Sequence, residues 1–288
     1  MSMYILLLIL FSAICHATWN IIAKNTKDKL TLLWLQMIFN AVLLTPIVLI
    51  FFKISSIKAI PFLLLSGIFQ ALYYIVLSKS YECGNIALVY PLTRGSAPIF
   101  VCIFSAILGI EKITLPMFIS IFLIAFGIYC VNLNSITKEE ILTPFKILIK
   151  DKSARLSILI GIIIAIYTII DKQNVKLVEP IVIYYIITII PMILLAPMLL
   201  RKDKIKKELE NKGWIRVILV ALLTLAAYLL VLFSMSLTNV SFVSSIREIS
   251  VVFVTFYTAI KMKDSNWKPK FIGACIIFVG IFLLSYFS

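Results

Sequence analysis

The sequence is broken into apolar blocks about as long as a lipid hydrocarbon core is thick: 3 to 23, 30 to 52, 60 to 81, 85 to 108, 114 to 132, 155 to 174, 179 to 200, 214 to 236, 240 to 262 and 268 to 287. A helix needs about 20 such residues to cross a core of about 30 Å. Inside lipid every backbone N–H and C=O must be paired within the protein, so only helices and closed barrels can span. Barrel strands alternate polar and apolar residues over about ten positions, whereas these runs are continuously apolar. With 62% apolar and 14% charged residues in the chain, the blocks predict an all-α membrane protein of ten transmembrane helices. The first block, "MSMYILLLILFSAIC", lacks a positive flank and a small-x-small site or lipobox before Cys15, so it reads as helix one rather than a cleaved signal.

The net charge of +14 does not point to nucleic acid, because the basic residues lie between the blocks, most densely in "RKDKIKKELENKGWIR" at 201 to 216. Counted by alternate loops, twenty Lys and Arg fall on one side and five on the other. The positive-inside rule places the first side in the cytoplasm and both termini outside. Anionic lipid suits the same distribution. Labelling of single cysteines introduced at Ser2 and Lys204 tests this: the two should react from opposite faces, with Lys204 cytoplasmic.

Sliding the chain on itself by 153 residues lays Arg94 on Arg247, Phe100 on Phe253, Ala106 on Ala259, Glu111 opposite Asp264 and Gly127 on Gly280. A shift of 154 pairs Tyr74 with Tyr228 and Asn85 with Asn239, and a shift of 148 lays "WNIIAK" (19 to 24) on "YTIIDK" (167 to 172). The two arginines weigh most, since only these two lie deep in predicted spans. Five helices are therefore written twice: a first repeat over 1–132, a linker over 133–153 and a second repeat over 154–288. Five is odd, so the second repeat enters the membrane from the opposite side. Inverted repeats related by a pseudo-twofold axis in the membrane plane are the plan of many secondary transporters, with the site near mid-membrane. In the linker, Thr137 and Glu140 have capping-box spacing; it reads as a plain connector.

The two-unit plan, "LGIEKIT" closing the fourth helix and "FGIYCVN" late in the fifth, resemble the EamA family of the drug/metabolite transporter superfamily. "HATWNIIAKN" (16 to 25), "VYPLTRGSAPIF" (89 to 100) and "SSIREISVVF" (244 to 253) resemble a subgroup with His-Ala-x-Trp-Asn, Tyr-Pro-x-x-Arg-Gly and Arg-Glu-x-Ser-x-Val-Phe signatures. Ile110 stands before Glu111 where the family usually has Gly, and the second unit has "MKDSN" in place of Gly-Glu. The resemblance implies a transporter of the cell membrane that carries small metabolites, often exporting amino acids or related compounds. It also implies cytoplasmic termini, against the loop count.

A guanidinium at a bilayer centre costs about 2.5–3.5 kcal/mol on insertion scales, so Arg94 and Arg247 need a reason. Tyr90 and Arg94 share a helix face, and Arg94 stands between Pro91 and Pro98, which free backbone carbonyls. Adjacent Arg247 and Glu248 point about 100° apart. Two readings stand: an Arg94, Arg247 and Glu248 cluster that forks onto a carboxylate or phosphate, or an Arg94–Glu248 pair that locks helices. His16, with Trp19 and Asn20 on its face, either exchanges the coupling proton or bonds a neighbouring helix. Tyr74 and Tyr228, matched by the repeat, are the best lining candidates among the mid-span tyrosines. Gln36 and Asn40, one turn apart, read as interhelical glue.

An enzyme is disfavoured. The sequence has no Gly-x-Ser-x-Gly, no His-Glu-x-x-His and no phosphate-binding loop, and its single histidine cannot build a multi-histidine metal site. The five cysteines are isolated, without metal or disulfide spacing. The expectation is a secondary transporter with a small polar or anionic substrate, no cofactor and protons as candidate coupling ion. A flippase of lipid-linked amphiphiles and a passive uniporter or pore are the alternatives.

Overall fold

The computed structural model describes residues 3–24, 26–51, 57–84, 86–131, 133, 151–200, 202–210, 213–253 and 267–287. Their elements are α1 (Met3–Lys24), α2 (Lys29–Phe51), α3 (Ala59–Cys83), α4 (Ile86–Ile107), α5 (Leu115–Val131), α6 (Lys152–Asn174), α7 (Pro180–Leu199), α8 (Lys202–Leu209), α9 (Gly213–Leu237), α10 (Val240–Arg247) and α11 (Trp267–Phe287). Six of them, α1, α2, α3, α6, α7 and α9, are long and apolar enough to cross a membrane, and α4, α5 and α11 hold shorter apolar stretches. The surface is built for lipid. Phe11, Val42, Leu49, Phe122, Phe278 and Phe282 stand exposed while His16, Asn20, Gln36, Asn40, Arg94, Asp171, Arg247 and Glu248 are buried. In water that apolar exterior would be an aggregation surface; in a bilayer it meets acyl chains.

The helix contacts come in pairs related by exchange of the repeats. Helix α1 packs on α9 as α6 packs on α3, and α2 packs on α9 as α7 packs on α3, while α2 meets α7 and α5 meets α11. The last contact is reciprocal at atomic level. A Cβ built on Gly127 would lie 2.7 Å from Ile277 Cγ1 and 2.8 Å from the Gly273 carbonyl; one on Gly280 would lie 2.7 Å from Ile124 Cγ1 and 3.0 Å from the Ser120 carbonyl. Each partner is offset by the same 153 residues, so residue i touches j as j touches i, the mark of a twofold axis. Both glycines let the backbones close, as small residues do between membrane helices. Gly127→Ala will therefore lower stability by about 1–3 kcal/mol, the usual cost of overpacking, read as a lower melting temperature in detergent.

Two helix ends are held from other elements. Lys172 Nζ donates to the Met235 and Thr238 carbonyls at the end of α9, 2.6 and 2.7 Å away. The Glu111 carboxylate accepts from the Val240 and Ser241 amides that open α10. A cation on the carbonyl end of one helix and an anion on the amide end of the next both complement the helix dipoles. Glu111, in the first repeat, thus pins α10 in the second. Glu111→Ala should cost about 1–2 kcal/mol, in the range of a lost helix cap, measurable as a lower unfolding midpoint. Asp264, its counterpart in the repeat, lies outside the described residues, as does the Thr137–Glu140 linker segment.

Helix boundaries differ from expectation in three places. Helix four, whose prolines were expected to free backbone carbonyls beside the charge, runs unbroken as α4 from Ile86 to Ile107. Helix nine was expected over 240 to 262, but α10 stops at Arg247, Glu248 forms a turn and helix resumes over 249–253; residues 254–266 lie outside the described residues. Between α7 and α9 the basic loop folds into α8, where buried Glu208 takes a bond from Arg216 at 3.2 Å. The second repeat opens on Asp151, whose carboxylate caps α6 by accepting from the Ser153 amide at 2.6 Å and the Ala154 amide at 3.2 Å. The Ser153 hydroxyl bond, reinforced by these amides, holds the Asp151 carboxyl below its ordinary range. A depressed carboxyl contributes stability near neutral pH and loses it as pH falls through and below the unfolded value of about 3.9.

Candidate substrate site at mid-membrane

Between α1, α2, α3, α6, α7, α9 and α10 lies a narrow cleft of about 50 Å³, well short of the about 300–1,000 Å³ that encloses a drug-sized ligand. His16 and Trp19 come from α1, Gln36 from α2, Gln70, Tyr73 and Tyr74 from α3, Tyr167 from α6, Tyr184 and Thr188 from α7, Thr224 and Tyr228 from α9 and Arg247 from α10. The tyrosines form a continuous wall. Tyr73 meets Tyr74 and Tyr167 edge-on at centroid distances of 5.1 and 6.1 Å, Tyr167 meets Tyr228 at 6.1 Å, and Tyr228 meets Tyr184 at 6.5 Å. These are ordinary aromatic pair distances, so the wall is packed and rigid while its hydroxyls supply polarity.

The two arginines, equivalent by repeat, have different partners. Arg94 Nη1 donates to Glu248 Oε1 at 3.3 Å with both side chains buried, its guanidinium lies 5.8 Å from the Tyr90 ring, and the Tyr90 hydroxyl donates to Ser250 at 3.2 Å. These contacts lock α4 of the first repeat to the broken helix of the second. Arg247 lines the cleft, 5.7 Å from the Tyr228 ring centre. Among the described residues it has no ion pair within salt-bridge distance, and its Nε, buried, has no hydrogen-bond acceptor. The reason is in the sequence: Gly95 stands at the position equivalent to Glu248. Of the three only Arg94 and Glu248 pair, so with Glu248 ionised the cluster keeps a net positive charge beside the cleft.

The break in the helix falls at that charge. The Glu248 amide bonds the Ser245 carbonyl three residues back, at 3.2 Å, and the Val251 amide bonds the Glu248 carbonyl at 2.9 Å. Such 3₁₀-type tightening frees carbonyls of the regular ladder and often marks functional points in helices; discontinuous helices are the common substrate and ion sites of transporters.

His16 Nδ1 accepts from the Trp19 indole at 3.1 Å, so the neutral ring carries its proton on Nε2. That nitrogen is buried without a hydrogen-bond partner among the described residues, as is Gln70 Nε2. Asn20 lies beside the cleft rather than on it, donating to the His16 carbonyl at 2.8 Å and accepting from Tyr81 at 3.5 Å. The Gln36 side chain takes bonds from Thr224 at 2.7 Å and Asn40 at 3.1 Å, so it ties α2 to α9 and also lines the cleft.

Of the residues expected at a site, His16, Trp19, Tyr74, Tyr228 and Arg247 line the cleft together, while Arg94, Glu248, Tyr90 and Asn20 brace it. Gln70, Thr188 and Thr224 were not anticipated; Tyr73, Tyr167 and Tyr184 were visible as mid-span tyrosines but read as packing. A further group sits behind the wall. Asp171, fully buried, accepts from Ser66 at 2.6 Å, Tyr228 at 2.5 Å and Asn174 at 3.2 Å. Its acidity inside a predicted span was the available signal.

The model of the EamA-like transporter family matches residues 3–133 and again residues 152–286. The chain belongs to the EamA-like transporter family. The double match gives this EamA-like chain two units of one kind, as the reciprocal α5–α11 contact requires. A solved structure titled "Crystal structure of protein" is similar over 100% of this EamA-like chain and 98% of its own, with a TM-score of 0.74 at 11% identity. At that identity the likeness is one of fold. No curated protein matches the chain. Family membership makes it an integral membrane transporter of small molecules.

Proposed function

We propose that the protein is a secondary transporter of the cell membrane that exports small anionic metabolites, amino-acid-like carboxylates among them, by rocking of its two repeats about the mid-membrane cleft. The observation that supports this is Arg247: a buried guanidinium on the cleft with no carboxylate of its own. A desolvated, uncompensated charge is expensive, and a bound anion relieves it through two parallel N–H···O bonds. Tyr74, Tyr228, the His16 Nε2–H and the Trp19 face enclose the rest of the substrate. Arg94, Glu248, Tyr90 and Asn20 hold the frame in register.

The test is uptake of radiolabelled pyruvate, benzoate and glutamate into proteoliposomes, with a fluorescent short-chain lipid as a control for scrambling. Saturable uptake of at least one carboxylate, without lipid movement, is the expected result. Lipid scrambling alone would favour a flippase, and non-saturable flux of all three would indicate a pore.

A further inference from the structure

Among the described residues, four carboxyl or guanidinium side chains lie buried around the cleft: Arg94, Arg247, Glu248 and Asp171. With both carboxylates charged they sum to zero. Arg94 and Glu248 cancel within their pair, which leaves Arg247 and Asp171. These two do not touch; they bracket Tyr228, whose ring faces the Arg247 guanidinium and whose hydroxyl donates to Asp171 Oδ2 at 2.5 Å. Asp171 itself does not line the cleft. Its three donors, Ser66, Asn174 and Tyr228, are neutral groups. It is a buried carboxylate with no cation in contact among the described residues, and an ionisable group so placed in a membrane is a functional candidate.

We infer that Asp171 is the proton-binding carboxylate of the transporter, taking up a proton through the Tyr228 hydroxyl as an anionic substrate binds Arg247. The step balances simply. A hydronium in the cleft gives a proton to the Tyr228 oxygen, leaving water, while Tyr228 passes its own proton to Asp171 Oδ2. Asp171 then donates to the Tyr228 oxygen, and the Tyr228 O–H turns from Asp171 to the cleft, where it donates to the bound anion. Protonation raises the central charge from zero to plus one, and the anion returns it to zero. The empty form with Asp171 ionised and the form holding both ligands are neutral. The two half-loaded forms carry a net charge in a low-dielectric interior, which opposes their reorientation. Proton and anion therefore cross together and without net charge, and the flux runs outward whenever the internal anion gradient exceeds the opposing proton gradient.

The titratable and charged groups around Asp171 are few. On its own helix these are Lys172, tied to the Met235 and Thr238 carbonyls, and Tyr167. From α4 comes Arg94, from α10 Arg247 with the neighbouring Glu248, and from α9 Tyr228. Helix α3 presents the neutral Ser66 and Gln70, and α1 places the neutral His16 across the cleft. Only Asp171 among them is an acid without a cation in contact.

The inference rests on the anion site proposed at Arg247, and two measurements separate the failure of either. The first uses no substrate: infrared difference spectra of the full-length protein in lipid nanodiscs, titrated across the neutral range. A buried carboxyl C=O stretch should appear on acidification in the parent and in the Arg94→Met, Glu248→Leu double variant, and be missing in Asp171→Asn, which keeps the side-chain shape. If Asp171→Asn removes no titrating carboxyl band, Asp171 is not the proton site, whether or not any anion binds. The second adds benzoate to the same samples in weak buffer containing a pH dye. The parent should take up a proton on binding, whereas Asp171→Asn should bind without proton uptake, its affinity having lost its pH dependence, and Tyr228→Phe, which also lacks the hydroxyl that donates to the anion, should bind more weakly and without proton uptake. Equal proton uptake by Asp171→Asn would overturn the coupling. Absence of benzoate binding in the parent, with the Asp171 band present, would remove the anion site proposed here and the coupling to it, leaving Asp171 as a proton site.

Discussion

Truncating Glu248 to alanine is expected to destabilise the protein by about 3–5 kcal/mol, because it leaves the Arg94 guanidinium buried with no counter-charge. Among the described residues Arg94 has its single ion-pair partner in Glu248, at 3.3 Å, and both side chains are almost wholly enclosed. The Tyr90 face contributes only a weaker cation–π attraction. Arg94→Ala should behave alike, stranding the carboxylate. Replacing both together, Arg94→Met with Glu248→Leu, removes both desolvation penalties at once and should recover most of the lost stability, since apolar isosteres of buried ion pairs are often neutral or better. Thermal unfolding of the four proteins in one detergent measures this. A double variant as unstable as either single one would mean that the pair does more than cancel charge. If the double variant also transports at the parental rate, Arg94 is a brace; a well-folded double variant without transport would return Arg94 to the substrate.

Arg247 is expected to behave in the opposite way. Arg247→Ala removes a charge that has no ion pair, so the melting temperature should hold or rise while carboxylate uptake is lost. Arg247→Lys keeps the charge and discards the planar fork. Losing one charged hydrogen bond of about 1.5–3 kcal/mol corresponds to a roughly 10–100-fold weaker apparent affinity, since each 1.4 kcal/mol is tenfold. Uptake into proteoliposomes over a range of substrate concentrations gives the value. Uptake by Arg247→Ala with unchanged affinity would remove this residue from the site. The contrast between the two arginines is the informative part: one change should act on folding and the other on transport, although the repeat makes the residues equivalent.

Which arginine faces the cleft was not readable from the sequence. The 153-residue offset makes Arg94 and Arg247 alike, and the prolines around Arg94 drew attention to helix four. Two local facts reverse the emphasis. Glu248 follows Arg247 but reaches Arg94, and Gly95 gives the first repeat no carboxylate to return. The break also falls in the helix that has no proline: α4 stays helical through Pro91 and Pro98, while the second-repeat helix turns at Glu248. Neighbouring helices can supply what a proline removes, and such supply depends on partners that are distant in the chain.

Asp171 makes the same point. Its position in "YTIIDK" marks an acid near the end of an apolar span, yet its three donors come from α3, α6 and α9. The wall of tyrosines is similar: Tyr73, Tyr167, Tyr184 and Tyr228 belong to four helices, and no spacing rule within one helix brings them edge to edge.

By itself the sequence determined the class, the doubling and the inversion. Length and polarity of a block decide whether it can cross a bilayer, because lipid pairs with no backbone group, and an odd number of crossings per unit decides how the second unit enters. Those are properties of composition and count, and they survive without any knowledge of neighbours. The tertiary structure alone decided which charges cancel, which one is left over and which polar atoms face the cleft. Those outcomes depend on distances of a few ångströms between helices far apart in the chain, where burial makes each unpaired charge expensive and where the identity of the nearest side chain, not the residue's own, sets its role.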